Sequence, residues 1–194
     1  MLYGLAKFIL KVYMADEGGK HSTHKYYKRI GSPGNYTYFY TKEQHERYLN
    51  GQNKKEISNR DLLKFTYEAI TGDGKTNEEV FMARVSNTAK DRLNKKFQLD
   101  VDDIVTDTYS VRHAYKKASH NLEPNDIIHA VEVINTSTDI KAAGEHRNNP
   151  AFIFKKDING EISFLVEARI KKRKLAIFNF YRKKKARQKS DATL

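Results

Sequence analysis

Asn159-Gly160 sits between two runs of β-favouring residues, 151–156 and 161–168. Both members of such a pair accept the left-handed backbone of a tight two-residue turn, which commits the flanking runs to an antiparallel hairpin. A third run, 174–181, follows a basic connection. Its alternation puts Leu175, Ile177, Asn179 and Tyr181 on one face and Ala176, Phe178 and Phe180 on the other. The phenylalanine face is expected under helices, so that Asn179 and Tyr181 project together from the opposite one.

Helical patterns precede this sheet. Ser58-Asn59-Arg60-Asp61 opens a helix in capping style, with Leu62, Phe65, Ala69 and Ile70 as its apolar face, and Thr71-Gly72-Asp73-Gly74 stops it. Thr76-Asn77-Glu78-Glu79 has the form of a capping box and is expected to start a second helix. Ser86 opens a third, whose buried stripe is Ala89, Leu93 and Phe97. Residues 101–108 read as a strand. A helix from Ser110 would bury Val111, Ala114, Tyr115 and Ala118, leaving His113, Lys117 and His120 together on its other face. Pro124 suits the first turn of a further helix with Ile127, Ile128, Val131 and Ile134 inside. Residues 135–150 read as a polar loop into the sheet. The fold class is α+β: helices first, then a small antiparallel sheet.

Nearer the N-terminus, two aromatic runs ending at Ile30 and Tyr40 flank Gly31-Ser32-Pro33-Gly34 and read as a β-hairpin, with a short helix from Thr41. A lone hairpin is marginal in water, so this one needs a partner surface. The division expected is an additional hairpin and helix module over 1–75, a main domain over 76–186 and a basic tail over 187–194. Residues 1–13 are apolar but carry Lys7 and Lys11 and are too short for a membrane span, so neither an export signal nor a membrane partner is expected.

Composition narrows the chemistry. With 39% hydrophobic and 31% charged residues the core must be small, and 12 Tyr and 10 Phe compensate by burying large areas. The absence of cysteine excludes disulfides and thiolate zinc sites. His21 and His24 lack convergent carboxylates, so no metal is expected there. Gly74-Lys75-Thr76 resembles the end of a phosphate-binding loop, but the required first glycine falls at Ala69, inside a helix, and the reading fails. Residues 169–194 hold eleven Lys or Arg against one acid, Asp191, and so carry +10 of the formal net charge of +12. Charge packed this closely attracts polyanions, of which phosphate backbones are the commonest.

These segments, in this order, resemble the phage-associated branch of the barnase/EndoU/colicin/RelE-like (BECR) nuclease group over residues 80–186. The residues that carry the resemblance are Leu93, Arg112-His113 with Lys116-Lys117, Pro124 and Asp126, Glu167-Ala168-Arg169, and Asn179-Phe180-Tyr181-Arg182. Two positions depart from the family pattern. A second histidine five residues after the first is Ala118 here, with His120 two residues further on, and Asn179 replaces a usual Ser or Thr.

The resemblance implies a metal-independent endoribonuclease, a phage or mobile-element toxin or effector that cleaves RNA by transesterification without a cofactor. Its alternative is a catalytically weak nucleic-acid-binding protein of phage head or packaging machinery. A basic module meeting an acidic partner protein is a third class. His113 would act as acid/base with His120 as its partner. Arg169 and Lys117 would stabilise charge, and Asn179 and Tyr181 would position the phosphate. Glu167 would serve as base or orient Arg169. Arg112, Lys116, Lys117, Lys171, Lys172, Arg173, Arg182, Lys183, Lys184 and Lys185 would hold the nucleic acid. The bland readings are a solvated helix face for the histidines and a cross-strand charge pair for Glu167 and Arg169. Expected partners are RNA and a virion or immunity protein, in the host cytoplasm or on the virion.

Overall fold

The computed structural model of the chain describes residues 27–32, 35–72 and 77–183. Side-chain caps start its first helices. Helix α1, Lys42–Gln52, opens with a reciprocal capping box in which Thr41 accepts from the Gln44 N–H and the Gln44 side chain accepts from the Thr41 N–H. Ser58 caps α2, Asn59–Thr71, and Ser86 caps α3, Asn87–Phe97, each hydroxyl accepting a hydrogen bond from the N–H three residues on. Asp107 does the same for α4, Thr108–Lys116, and α5 spans Ala130–Thr136.

Strands β1, Lys28–Ser32, and β2, Asn35–Phe39, form the expected N-terminal hairpin. The remaining strands are β3 (Glu79–Arg84), β4 (Asp103–Asp107), β5 (Asp139–His146), β6 (Asn149–Asp157), β7 (Glu161–Arg169) and β8 (Lys174–Arg182). They make one sheet in the order β3-β4-β8-β7-β6-β5. The fold is α+β, but the sheet is mixed rather than wholly antiparallel, because β8 inserts between β7 and β4 and runs parallel to β4. The intervening helices supply the long crossover that a parallel pair requires.

Several sequence expectations need correction. Residues 79–84 form β3, not a helix. Val80, Phe81, Met82 and Ala83 are buried in succession because the strand is covered on both faces, so no alternation marks it. Within 135–150, β5 replaces the expected loop. It is an edge strand with only Ile140 buried, so it too lacks alternation. Helix α4 stops at Lys116, and a 3₁₀ turn over Ala118–His120 exposes Ala118 and buries His120, reversing both expectations. After Pro124 the chain makes a 3₁₀ turn over Asp126–His129 before α5, which buries Ala130, Val133 and Ile134.

The face assignment of β8 also changes. Leu165 pairs with Asn179 and Val166 with Ile177, which leaves Phe178 as an extra residue in a β-bulge. Alternation restarts after the bulge. Leu175, Ile177 and Phe180 therefore share the helix-covered core, whereas Ala176 packs with Phe81 and Val105 on the other face. Asn179 and Tyr181 still share a face, though not with Leu175 and Ile177.

One buried cluster runs from Leu62, Phe65 and Ala69 of α2 through Leu93, Val111 and Ile134 to Phe154, Phe164 and Phe180. Residues on both sides of position 75 thus share the core. On the opposite face, Phe39 of the hairpin packs against His45 and Tyr48 of α1 at ring distances of 5.2 and 5.1 Å. Buried Arg47 pins α1 to the body through Glu68 at 2.5 Å and Glu78 at 2.8 Å. No helix among the described residues is long and apolar enough to cross a membrane.

Candidate active site

Strand β4 is shorter than β8. Its pairing ends at Thr106–Ile177, because the chain turns into α4 at Thr108. The second half of β8 keeps β7 on one side and meets the segment after α4 on the other. His120 lies there, 9% exposed, with its ring tilted 6.1 Å from that of Tyr181. Tyr115 anchors this segment by donating to the Pro124 carbonyl at 3.0 Å. Two residues before Tyr115 on α4, His113 is half-buried and stacks on Tyr109 at 6.1 Å and 13°.

Burial first, and the charge of Lys117 second, push both histidines below the ordinary 6.5. His120 is also lowered by His113, which places the two imidazoles within electrostatic reach of each other. Both are therefore neutral at pH 7 and can accept a proton. The His120 Nδ1 is buried without a partner at full hydrogen-bond geometry, although the Ala114 and Phe180 backbones lie close enough to the ring to favour its charged form.

The β5–β6 hairpin brings a third histidine. Gly144 takes φ +79° beside a bulge between Ala142 and Glu145, and Arg147 and Asn148 form a left-handed turn with φ 50° and 61°. The bent tip crosses the sheet face opposite the helices. His146 stacks on Phe178 at 3.9 Å and 4°, and Arg147 places its guanidinium 5.8 Å from the centre of the Tyr109 ring. Contacts thus lead from His113 through Tyr109 to Arg147, the chain neighbour of His146.

Beneath His146 lies Glu167, 1% exposed. Its Oε2 is 2.6 Å from His146 Nδ1, and its Oε1 accepts from Arg169 Nε at 2.5 Å. An ionised carboxylate only accepts, so Nδ1 carries the donated proton and Nε2 is the nitrogen left for chemistry. Arg169 continues to Glu79 at 2.6 Å, which also binds Lys174 at 2.7 Å. Burial opposes the Arg169 charge, but Glu167, Glu79 and Asp107 more than offset it and keep the guanidinium firmly protonated.

Arg112, half-buried, and Lys116 and Lys117, exposed, flank His113 on or just after α4. Asn179 is partly buried, and its side-chain oxygen accepts from the Phe180 N–H at 3.0 Å. Most cations around β8 serve the fold. Arg182 is turned inward onto Asp126 and donates to the Ile158 carbonyl at 2.6 Å. Arg173 holds Asp102 at 2.6 Å and also binds Asp100, and with Lys90 it keeps the Asp102 carboxyl far below the usual range. Lys183 lies 3.1 Å from Glu161. Lys171 and Lys172 are exposed in the turn before β8, whose run from Lys174 to Tyr181 is itself about 23 Å long. Lys184, Lys185, the remaining tail, His21 and His24 lie outside the described residues.

The structure therefore joins His120 to Tyr181, with His113 within electrostatic reach of His120, and joins Glu167 to Arg169, but sets the 171–173 cluster apart. Sequence reasoning missed His146, Arg147 and Tyr109. The one available signal was Asn148, a residue that tolerates the left-handed turn, and it was hidden in a stretch with no buried periodicity. No group of three or more His, Cys, Asp or Glu among the described residues is arranged to hold a metal ion. Comparison with family models, with curated proteins and with solved structures gave no match for this chain.

Proposed function

We propose that the chain is a metal-independent endoribonuclease that cuts RNA by internal transesterification. The observation that carries this reading is His146, clamped between Phe178 and a buried Glu167 that also holds Arg169, with its chain neighbour Arg147 linked through Tyr109 to His113. In the reaction the ribose 2′-oxygen attacks phosphorus, the bond to the 5′-oxygen breaks, and a 2′,3′-cyclic phosphate and a 5′-hydroxyl result. His113, neutral and partly exposed, takes the 2′ proton, with His120 as its neighbour. His146 takes part in its doubly protonated form, with Nδ1–H held by Glu167, and passes the Nε2 proton to the departing 5′-oxygen, after which solvent restores it. Arg147 and Lys117 offset the charge that builds on the phosphoryl oxygens. Arg112 and Lys116 extend this positive surface along α4 as backbone contacts. The resemblance to the phage-associated BECR branch agrees with this chemistry, and with a toxin or effector acting on RNA in a host cell.

A second reading is a nucleic-acid-binding protein of phage head or packaging machinery with weak catalysis. It is favoured by Asn179, which brings no hydroxyl and spends its oxygen on the Phe180 N–H. The test is incubation of the protein with total RNA and a defined tRNA set in EDTA, beside His146→Ala and His113→Ala. Products ending in a 2′,3′-cyclic phosphate, formed about 10² to 10⁴ times more slowly by each variant, are expected. Intact RNA at micromolar protein, still retarded in a gel, would leave the binding reading instead.

A further inference from the structure

A second concave site lies on the same sheet face, between the β1–β2/α1 layer and strands β3, β4 and β8. Its volume is about 660 Å³, within the range that encloses a small organic ligand. Tyr38, Tyr40 and Tyr48 form one wall, Phe81 and Val105 the floor, and Lys172 and Lys174 the rim. Tyr40 is 51% exposed and so offers ring area to a ligand.

The charges of this cavity are uneven once internal pairs are removed. Glu78 shares Arg47 with Glu68, Glu79 is held by Arg169 and Lys174, and Asp103 by Lys54 and Arg84. Every carboxylate in the lining thus has a cationic partner. Lys172 makes no ion pair among the described residues and remains as surplus positive charge. Asn77 and Gln52 add amide groups that can both donate and accept. A flat aromatic wall, amides and one surplus cation suit a planar base joined to a phosphate.

The cavity is also wired to the candidate active site. Glu79 lines it and binds Arg169, which binds Glu167, which holds His146. Along β8 the step from Lys174 to Phe178 is about 13 Å, a span that a few linked nucleotides cover.

We propose that this cavity is a nucleotide subsite, which holds one base and its phosphate away from the scissile bond. The proposal rests on the chain acting on RNA. Tyr40 stacks on the base, Lys172 meets the phosphate, and Asn77 and Gln52 read the base edge. Because Glu79 serves both sites, filling the subsite also fixes Arg169 against Glu167.

The test is titration of the full chain with the four nucleoside 5′-monophosphates at low salt, followed by ¹H–¹⁵N NMR. Inorganic phosphate and the free nucleosides serve as controls. Saturable shifts over residues 37–54 and 77–81 are expected, with at least one nucleotide binding more tightly than phosphate or nucleoside. Tyr40→Ala and Lys172→Ala should each weaken binding about tenfold. In RNA cleavage both should raise KM and leave kcat near its original value. No shifts at millimolar nucleotide, equal response to phosphate alone, or binding indifferent to both substitutions would overturn the proposal even if RNA is cut. Nucleotide binding as expected with RNA left intact would remove the nuclease reading and keep the subsite.

Discussion

Asp126 and Arg182 show how little the identity of a basic residue says about its role. Arg182 stands in a run of cations at the chain's end, yet its side chain is 10% exposed and its partner Asp126 is 2% exposed. Removing one member strands the other as a buried charge, so Asp126→Ala should cost about 3–5 kcal/mol, measured by urea unfolding. His113 and His120 give the opposite lesson, since their chemistry comes from their surroundings. Both hold their protons less tightly in the fold than in the open chain, so on acidification the unfolded state is protonated first. The stability they contribute is complete above about pH 6.5 and is lost progressively as the pH falls below it. Lys117→Ala removes a cation that lowers both groups. It should move both imidazole titrations upward in ¹H NMR and lessen the acid-side loss of stability.

The β5–β6 hairpin is the element on which the candidate site turns. Its tip reaches Phe178 because Gly144 adopts φ +79° at the bulge. A side chain there meets no neighbouring atom but must take a backbone that costs about 1–2 kcal/mol. Gly144→Ala should therefore destabilise the protein by about that amount and loosen the tip. The His146 ring protons, shifted upfield by stacking on Phe178, should move toward ordinary values, and RNA cleavage should fall with them. Elements with local punctuation were legible in the sequence. Ser58 and Ser86 announced α2 and α3, Asn159-Gly160 announced β6 and β7, and Glu167 with Arg169 emerged as a pair. What tertiary packing decides was not legible. Nothing local distinguishes Glu78 and Glu79 before a helix from Glu78 and Glu79 before a strand buried on both faces. The extra residue at Phe178 exists only because β7 sets a register that β8 must rejoin, and His146 gains its role only from groups on β7 and β8.

For the whole molecule, the decisive fact is that Leu62, Phe65 and Ala69 share one core with the sheet. A fragment of residues 76–186 would bare the faces of α4 and the 3₁₀ turns that α2 covers. It should bind a hydrophobic dye and unfold without a sharp transition, whereas residues 41–186 should unfold cooperatively in urea. The position of β8 has a further consequence, which concerns time. The last of the described strands to be made occupies the interior of the sheet, and it bonds to β4 across a separation of about 70 residues. Until it leaves the ribosome, β4 and β7 present unpaired edges and half of the candidate site does not exist. Closure over so long a loop is slow compared with forming a hairpin. A chain arranged this way cannot assemble its candidate site before β8 has been made, so the RNA cleavage proposed for it would begin late in the order in which the fold is built.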